Sequence, residues 1–251
     1  MKASAVIVTY NRPELVKRLA EQIRKFDPDT ELVVIDQSGK EPNLCRGRNE
    51  GIAKASGDII IFFDDDVEIM KDTISSHLKE FEKPNVVGCA GRVINDGEPV
   101  PTETKVIVGE ANSLLTGFTK NFWSTKRQTV EFPYGCNMSF RKIALLATGG
   151  FDEKLPAPAT PFDEIDIALR ISNIGLISFS PQALVLHHRA TSGGTREREA
   201  IRTKQYYQAY ARMVRKNLPF PISLLSLSIL KIRVIKEAPF ALPSLLRGFF
   251  F

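Results

Sequence analysis

Three consecutive aspartates, Asp64–Asp66, follow the apolar run IIFF and are the clearest candidates for chemistry in this sequence. Adjacent carboxylates repel one another, and the apolar residues before them lower the local dielectric, so a cationic partner is expected nearby. Carboxylates at the end of a strand can coordinate a hard divalent cation such as Mg²⁺ or Mn²⁺. The alternative is a solvated acidic turn that caps the next helix.

The segments around these aspartates alternate between predicted strands and predicted helices. Apolar residues recur at helical spacing after Pro13, and a short helix is predicted over residues 46–55. This order indicates a parallel sheet with right-handed crossovers, whose ligands bind at the carboxyl ends of the strands. That edge should carry the aspartates together with residues 9–11 and Asp36. The predicted strands are residues 5–8, 31–36 and 58–63.

A second acidic group lies in PFDEIDIALR, which puts Asp163, Glu164 and Asp166 in the first turn of a predicted helix. Acidic residues are common there because the helix dipole favours negative charge. Three acids after a proline-rich loop also fit a general base carried into a cleft. The segment LVLHH then ends a predicted strand with His187 and His188, of which one can point into a given site.

The composition indicates a globular protein in a reducing compartment. With 251 residues and 43% hydrophobic content, the chain can form a substantial core. Its three cysteines are far apart and form no CxxC pair, so neither a disulfide framework nor a zinc site is indicated. The apolar stretch before Asn11 spans about five residues, too short for the h-region of a signal peptide. We therefore expect a cytoplasmic location.

Positive charge is concentrated in the last quarter of the chain. Residues 189–251 carry 12 Lys and Arg against 3 Asp and Glu, whereas residues 1–188 carry 22 against 26. The tail also contains an uncharged apolar stretch of about 13 residues, shorter than the roughly 20 of a spanning helix. We expect residues 218–251 to lie peripherally on the anionic inner face of the cytoplasmic membrane rather than on nucleic acid. The alternative is an amphipathic helix packed on the domain.

Several motifs occur in an order that resembles a known family. They are VIVTYNRPE, VVIDQS, RGRNEGIAKASGDIIIFFDDDV, GCNMSFRK with GGFDE, FDEIDIALR and LVLHH. The set resembles the successive motifs of family 2 glycosyltransferases, inverting enzymes of the GT-A fold, over roughly residues 3–192. The resemblance implies an α/β fold: a GT-A type, Rossmann-like nucleotide-binding domain with a mostly parallel central sheet, followed by a helical basic and apolar tail.

The resemblance also implies an activity and a division of the chain. A hexosyl or deoxyhexosyl group would pass from a nucleotide-sugar donor to a hydroxyl of a glycan or lipid-linked acceptor, with Mg²⁺ or Mn²⁺, in the biosynthesis of cell-envelope polysaccharide. Residues 1–200 are expected to form the glycosyltransferase domain and residues 201–251 the tail. Within the domain, residues 1–92 would bind the nucleotide sugar and residues 93–200 the acceptor.

Residue roles follow from the same resemblance. Asp66 and His187 match metal-binding positions, with His188 as the alternative to His187. Glu164 matches the general base, which is usually an aspartate in the family, so Asp163 stays open for that role. The acceptor side would be formed by Gly135, Cys136 and Asn137. The residues expected to hold the donor are Thr9, Tyr10, Asn11, Asp36, Arg48, Asp64 and Asp65.

Two other functions share part of this pattern. A sugar-phosphate nucleotidyltransferase also binds a nucleotide and Mg²⁺ beside paired carboxylates, but usually has a glycine-rich phosphate loop near its N-terminus. The corresponding segment here, TYNRPEL, contains no glycine, and neither GxxxxGK[ST] nor GxGxxG occurs in the sequence. The other candidate is a non-catalytic module that binds a nucleotide sugar.

Overall fold

The computed structural model describes residues 1–102, 106–190 and 199–250, with the backbone alone for residues 199 and 200. Within these ranges the chain forms one eight-stranded sheet and a separate two-stranded sheet. The strands are β1 (Ala3–Thr9), β2 (Glu31–Asp36), β3 (Ile59–Asp64), β4 (Val67–Ile69), β5 (Val86–Asn95), β6 (Glu110–Ala111), β7 (Phe118–Thr119), β8 (Gln128–Val130), β9 (Asn137–Arg141) and β10 (Leu176–His187).

Helices connect the first strands and form most of the C-terminal fifth of the chain. The three predicted strands are confirmed, and the helix predicted over residues 46–55 begins two residues earlier, where the side chain of Asn43 accepts a hydrogen bond from the Arg46 amide. The helices are α1 (Pro13–Phe26), α2 (Leu44–Lys54), α3 (Thr73–Glu80), α4 (Lys142–Ala147), α5 (Asp163–Ile171), α6 (Glu199–Asn217), α7 (Phe220–Glu237), a 3₁₀ turn (Pro239–Ala241) and α8 (Leu242–Phe250).

The main sheet has the strand order β2-β1-β3-β9-β5-β10-β4, and β8 pairs with β10. Strands β1, β2 and β3 are parallel, and β5 and β10 are parallel to each other. Strand β9 lies antiparallel between β3 and β5, so both parallel groups run in the same direction. Five strands thus share one direction, and the predicted α/β fold with a mostly parallel sheet is confirmed.

The register of the first three strands brings the predicted polar residues to one edge. Thr9 pairs with Asp36, and Val8 pairs with Asp64. Asp65 and Asp66 then form the turn between β3 and β4. Because the next helix, α3, begins only at Thr73, the aspartates do not cap a helix, and that alternative is wrong.

Two glycines allow α2 to pack closely against β1. A Cβ atom at Gly47 would lie 2.5 Å from Cγ1 of Val8, and one at Gly51 would lie 2.3 Å from Cγ1 of Val6. Since real side chains do not approach so closely, any larger residue would push the helix away from the sheet. The close approach holds Arg48, which lies between the two glycines, against the end of β3.

The tail continues the core of the domain. Helix α8 crosses α6 so tightly that a Cβ at Gly248 would lie 2.0 Å from the carbonyl oxygen of Gln208. Part of the tail's positive charge is neutralised inside the molecule, because Lys216 Nζ lies 3.2 Å from Asp152 and 2.9 Å from Asp166. Among the described residues, no helix has the length and apolarity to span a bilayer. The most deeply buried residues of α6 are Ala209, Tyr210, Ala211, Met213 and Val214.

A neutral histidine joins α3 to β9. His77 is fully buried, with its Nε2 2.8 Å from Oδ1 of Asn137 and its Nδ1 2.8 Å from Oγ of Ser139. Burial disfavours the imidazolium and lowers the pKa of His77 from 6.5 to about 4. The folded protein therefore holds His77 neutral at a pH where the unfolded chain is already protonated.

We predict that His77 makes the protein less stable as the pH falls from about 6.5 to about 4. In this window the unfolded chain binds a proton that the folded chain does not, so the free energy of unfolding decreases by about 3 kcal/mol in total. A His77→Gln variant keeps a neutral donor and acceptor but cannot titrate. Urea unfolding measured across this window should show a smaller pH dependence for the variant, with His188→Gln as the control. Equal pH dependence in H77Q and the wild type would contradict the prediction.

Candidate active site

A cleft of about 200 Å³ opens at the carboxyl ends of β1 and β3. Tyr10, Gln37 and the three aspartates line it, and His187 at the end of β10 closes one side. The strand order explains this meeting, since β4 follows the aspartates and pairs His187 with Val67 in antiparallel register. Residues more than a hundred positions apart in the sequence thus share one cleft.

Arg12 supplies a cation that the adjacent carboxylates require. Its Nη1 lies 2.9 Å from Oδ1 of Asp65 and 3.5 Å from Oδ2 of Asp66. The hydroxyl of Thr9 donates to Oδ2 of Asp65 at 2.7 Å. Burial raises the pKa of Asp65, and these two partners counteract that shift. Both predicted donor residues, Thr9 and Asp65, therefore bind each other in this structure.

Asp64, Asp66 and His187 form a group that can hold a cation. One ligand atom from each lies within 4.8 Å of the others. Nε2 of His187 is 3.3 Å from Oδ1 of Asp66, and Nδ1 donates to Oδ1 of Asn95 at 3.0 Å, which leaves Nε2 directed at the carboxylates. Two carboxylates and an imidazole whose ring is held by the side chain of Asn95 fit Mn²⁺ or Mg²⁺.

The electrostatics of this group favour a positive charge between its members. Burial disfavours the charged form of His187, but the hydrogen bond to Asp66 raises the pKa of the imidazole overall. Burial also disfavours ionised Asp66, yet His187 and the Ala190 amide lower the pKa of that carboxyl. His188 lies outside the group, since its Nδ1 is 2.6 Å from Asp96 and its Nε2 is 3.3 Å from Glu68.

The other residues predicted to hold the donor lie at the end of β2 and in the loop after β1. Asp36 is exposed and accepts hydrogen bonds from the amide and hydroxyl of Ser38, which lower its pKa. The amide of Asn11 donates to the same hydroxyl at 3.0 Å, joining the loops after β1 and β2. Asn11 has a φ of +56°, a left-handed conformation that asparagine tolerates better than most residues. Tyr10 is half-buried between them.

Arg48 is buried between the two acidic groups that the sequence analysis singled out. Nη1 contacts Oδ2 of Asp163, and Nη2 lies 2.9 Å from the carbonyl oxygen of Gly135 and 3.7 Å from Oδ1 of Asp64. Burial disfavours the charged guanidinium, but Asp163 and Asp64 raise its pKa. Arg48 therefore links the aspartate turn to α5, in addition to lying in the predicted donor region.

The three acids at the start of α5 have different partners. Asp163 is buried, which raises its pKa well above the usual value while Arg48 counteracts the shift. Asp166 is also buried and pairs with Arg170 at 2.7 Å and Lys216 at 2.9 Å. Glu164 is partly exposed, and its Cβ lies 3.9 Å from the Cβ position of Gly135. Of the two residues left open for the general base, Glu164 is the more accessible.

The turn before α5 is held by aromatic packing. Phe162 has a φ of +67°, which is rare for a residue with a large side chain and indicates a backbone constrained by its surroundings. Its ring centroid lies 4.7 Å from that of Tyr210 and 4.8 Å from that of Tyr206, both on α6. The ring of Phe118 also packs on that of Phe162, with 5.7 Å between the centroids. The C-terminal helices thus help to position Glu164.

The predicted acceptor wall needs a correction. Cys136 and Asn137 are buried, and Asn137 donates to the carbonyl oxygens of Arg92 at 3.0 Å and Ala183 at 2.8 Å. With its oxygen on His77, the Asn137 side chain serves to join strands and does not line the cleft. Gly135 remains beside Arg48 and Glu164. Asn137, at the start of β9, is held in the interior because the partners of its side chain lie on α3, β5 and β10.

Sequence reasoning missed three residues that the structure brings to the site: Arg12, Asn95 and Phe162. Arg12 lies directly after the TYN motif in the sequence, and this adjacency could have identified it as a site residue. Asn95 ends β5, next to His187 in the parallel pairing with β10, and only the strand order reveals it. Phe162 acts through contacts with a helix more than forty residues later.

The fold and cleft define a mixed α/β protein with a candidate metal site, and comparisons with known proteins show what the chain is similar to. The model of glycosyl transferase family 2 matches residues 37–147. The O-antigen biosynthesis protein RfbC of Myxococcus xanthus is 21% identical over 250 residues, covering 84% of this chain and 19% of that protein. The glucosyl-dolichyl phosphate glucuronosyltransferase of Haloferax volcanii is 26% identical over 156 residues, covering 59% of this chain and 49% of that protein. The chain spans less than half the length of either relative.

Solved structures show the same fold. A mannosyltransferase from Pyrobaculum calidifontis, in complex with GDP-Man and Mn²⁺, has a TM-score of 0.60 at 16% identity, covering 98% of this chain and 73% of that one. The structure of S. aureus TarS 1–349 in complex with UDP-GlcNAc has a TM-score of 0.63 at 16% identity, covering 99% of this chain and 79% of that one. The predicted GT-A fold and the predicted resemblance to family 2 glycosyltransferases are confirmed.

We predict that Asp66→Asn weakens Mn²⁺ binding by on the order of tenfold or more, since losses of 10- to 100-fold follow even from removing outer-shell partners. The substitution removes a charge from the Asp64–Asp66–His187 group but almost no volume. Titration of Mn²⁺, followed by the electron paramagnetic resonance of the free ion, measures the effect without any need for turnover. Asp96→Asn is the matched control, because Asp96 contacts His188 outside the group. Equal Mn²⁺ affinity in D66N and the wild type would rule out Asp66 as a ligand.

Proposed function

We propose that this protein is a metal-dependent inverting glycosyltransferase. It transfers a sugar from a nucleoside-diphosphate sugar to a hydroxyl of a glycan or lipid-linked acceptor. One observation carries the proposal: the Asp64–Asp66–His187 group can hold a cation, and Arg48 connects Asp64 to Asp163, the neighbour of the partly exposed carboxylate Glu164. A lipid-linked acceptor is supported by the relative named as acting on glucosyl-dolichyl phosphate. The neighbours solved with GDP-Man and UDP-GlcNAc support a nucleotide-sugar donor.

In this proposal the first half of the chain, residues 1–92, binds the donor. The loops after β1 and β2 present Tyr10, Asn11 and Asp36 to the base and ribose, and the hydroxyls of the ribose are suitable donors to the Asp36 carboxylate. Asp64 lies between these loops and Arg48, where it can contact the ribose or the donor sugar. Residues 93–200 then face the acceptor, and residues 201–251 support that half.

The metal site serves the leaving group. Asp66 and His187, with Asp64 beside them, would hold a divalent cation, which would supply positive charge to stabilise the leaving diphosphate. Asn95 holds His187 by its Nδ1 and so keeps Nε2 directed at the site. Arg12 lies 2.9 Å from Asp65 and 3.5 Å from Asp66, and so offsets part of the negative charge of the aspartate turn.

Glu164 is the general base in this proposal. An acceptor hydroxyl has a pKa far above 7 and needs a carboxylate on the side opposite the leaving group. Asp163 is the less suitable base, because Arg48 already occupies it and burial raises its pKa. Its role is to keep Arg48 charged and in place, so that α5 stays at a set distance from the end of β3.

We predict that incubation with a panel of nucleotide sugars and Mn²⁺ releases a nucleoside diphosphate from one of them. The reason is that a donor hydrolyses slowly in such a site even without its acceptor. Coupled detection of nucleoside diphosphate measures the release, and D66N is the negative control. Pyrophosphate release from a nucleoside triphosphate and a sugar phosphate would instead indicate a nucleotidyltransferase. Donor binding without any turnover, including with acceptor mixtures, would indicate a binding module.

We predict that Glu164→Gln lowers the transfer rate by roughly 10²- to 10⁴-fold, the usual contribution of a general base, while donor affinity stays unchanged. Asp163→Asn should behave differently, because it leaves buried Arg48 without its ion partner and destabilises the fold by about 3–5 kcal/mol. Transfer rate, donor affinity and melting temperature measured for both variants separate the two roles. A stable, inactive D163N together with an active E164Q would reverse the assignment.

A further inference from the structure

We propose that one face of α7 docks on the surface of an anionic phospholipid bilayer. This face, called here the α7 face, consists of six large apolar residues that are between 36% and 59% exposed. The proposal does not depend on the reaction assigned to the cleft. The expectation from sequence was that residues 218–251 as a whole lie on the membrane. The proposal restricts the contact to one face of α7, because α6 and much of α8 pack into the core. The α7 face comprises Ile222, Leu224, Leu225, Ile229, Ile232 and Ile235.

Helix α7 has large apolar residues on its exposed side as well as on its buried side. Ser223 and Ser226 are fully buried, whereas the residues of the α7 face are exposed. A surface helix normally buries its large apolar residues and exposes its small polar ones. The buried serines are satisfied, since Ser226 donates to the carbonyl oxygen of Leu114 at 2.6 Å and Ser223 to that of Phe220 at 2.9 Å. The orientation is therefore built into the packing.

The helix cannot rotate to hide this face. Leu227, Leu230 and Val234 already join the main core on the opposite side. At 100° per residue, the six residues of the α7 face cover an arc of about 160°. Turning them inward would expose the three core residues and break the Ser226 hydrogen bond. An apolar arc of this width needs a partner outside the described part of the chain.

The charges around the arc identify that partner. Lys231 and Arg233 border its two sides, and Lys236 lies at its C-terminal end, all of them exposed. An apolar stripe edged by basic residues fits the interface of an anionic bilayer, with the side chains in the acyl boundary and the cations at the headgroups. A second copy of this chain fits less well, because a two-fold contact would bring the same basic residues together.

Docking there would also orient the catalytic cleft. Helix α6 leads directly into α7, and its Tyr206 and Tyr210 pack on Phe162, which precedes the Asp163–Glu164 pair. The α7 face and the turn that carries the proposed base are thus parts of one packed unit. An enzyme held in this way would meet a lipid-linked acceptor at a constant height above the bilayer.

Removing the whole tail does not test this proposal, because residues of α7 and α8 belong to the core. The test uses the full chain and a triple variant, Leu225→Ser, Ile229→Ser and Ile232→Ser, whose changes are confined to exposed positions. The matched control is Ile143→Ser with Leu146→Ser on α4, where both residues are at least 60% exposed. A second variant, Lys231→Gln with Lys236→Gln, removes charge without touching the apolar arc.

Flotation is measured with vesicles of phosphatidylcholine alone and of phosphatidylcholine mixed with phosphatidylglycerol. The wild type and the α4 control should float with the mixed vesicles, and high salt should weaken this binding because it screens the cations. The triple serine variant should bind at least tenfold more weakly. The lysine variant should lose the preference for the mixed vesicles.

Three results would overturn the proposal. The first is a wild type that does not float with mixed vesicles. The second is a triple variant that floats as well as the wild type while its melting temperature is unchanged. The third is wild-type dimerisation in sedimentation that the triple variant abolishes, without vesicle binding, which would assign the face to a second copy of the chain.

Discussion

The burial of Arg48 between Asp64 and Asp163 is the constraint on which the site depends. A buried guanidinium is costly unless carboxylates compensate its lost hydration, so the end of β3 and the start of α5 must both approach it. Gly47 and Gly51 make this possible because they have no side chain, which lets α2 pack closely against β1. Arg48 thus holds the start of α5 beside the end of β3.

Competition for cations divides the acidic residues among different tasks. Arg12 forms an ion pair with Asp65, and Arg48 forms one with Asp163. Asp166 pairs with Arg170 of α5 and Lys216 of α6. Asp64 and Asp66 lie beside His187, and Glu164 is partly exposed next to Gly135. The two acidic clusters, Asp64–Asp66 and residues 163–166, are similar in local sequence. Their carboxylates nevertheless differ in environment, because each one meets a different partner in the fold.

The C-terminal helices support the turn before α5 with one side and form an exposed apolar surface with the other. Their inner side packs on Phe162 and pairs with Asp152 and Asp166, which accounts for part of the tail's positive charge. Their outer side leaves the α7 face exposed. The two expectations from sequence, packing on the domain and contact with a membrane, thus concern opposite sides of the same helices. The first is observed, and the second is the proposal tested by vesicle binding.

The sequence by itself determined the alternation of strands and helices, the parallel start of the sheet and the meeting of Thr9, Asp36 and Asp64 at one edge. These features follow from hydrophobic periodicity and from the rule that parallel strands end together. Only the tertiary structure decided which carboxylate faces which cation, because Arg48 and Asp163 are 115 residues apart. The burial of Asn137 and the exposure of the α7 face could not be predicted from local pattern, since both depend on which other elements pack against these residues.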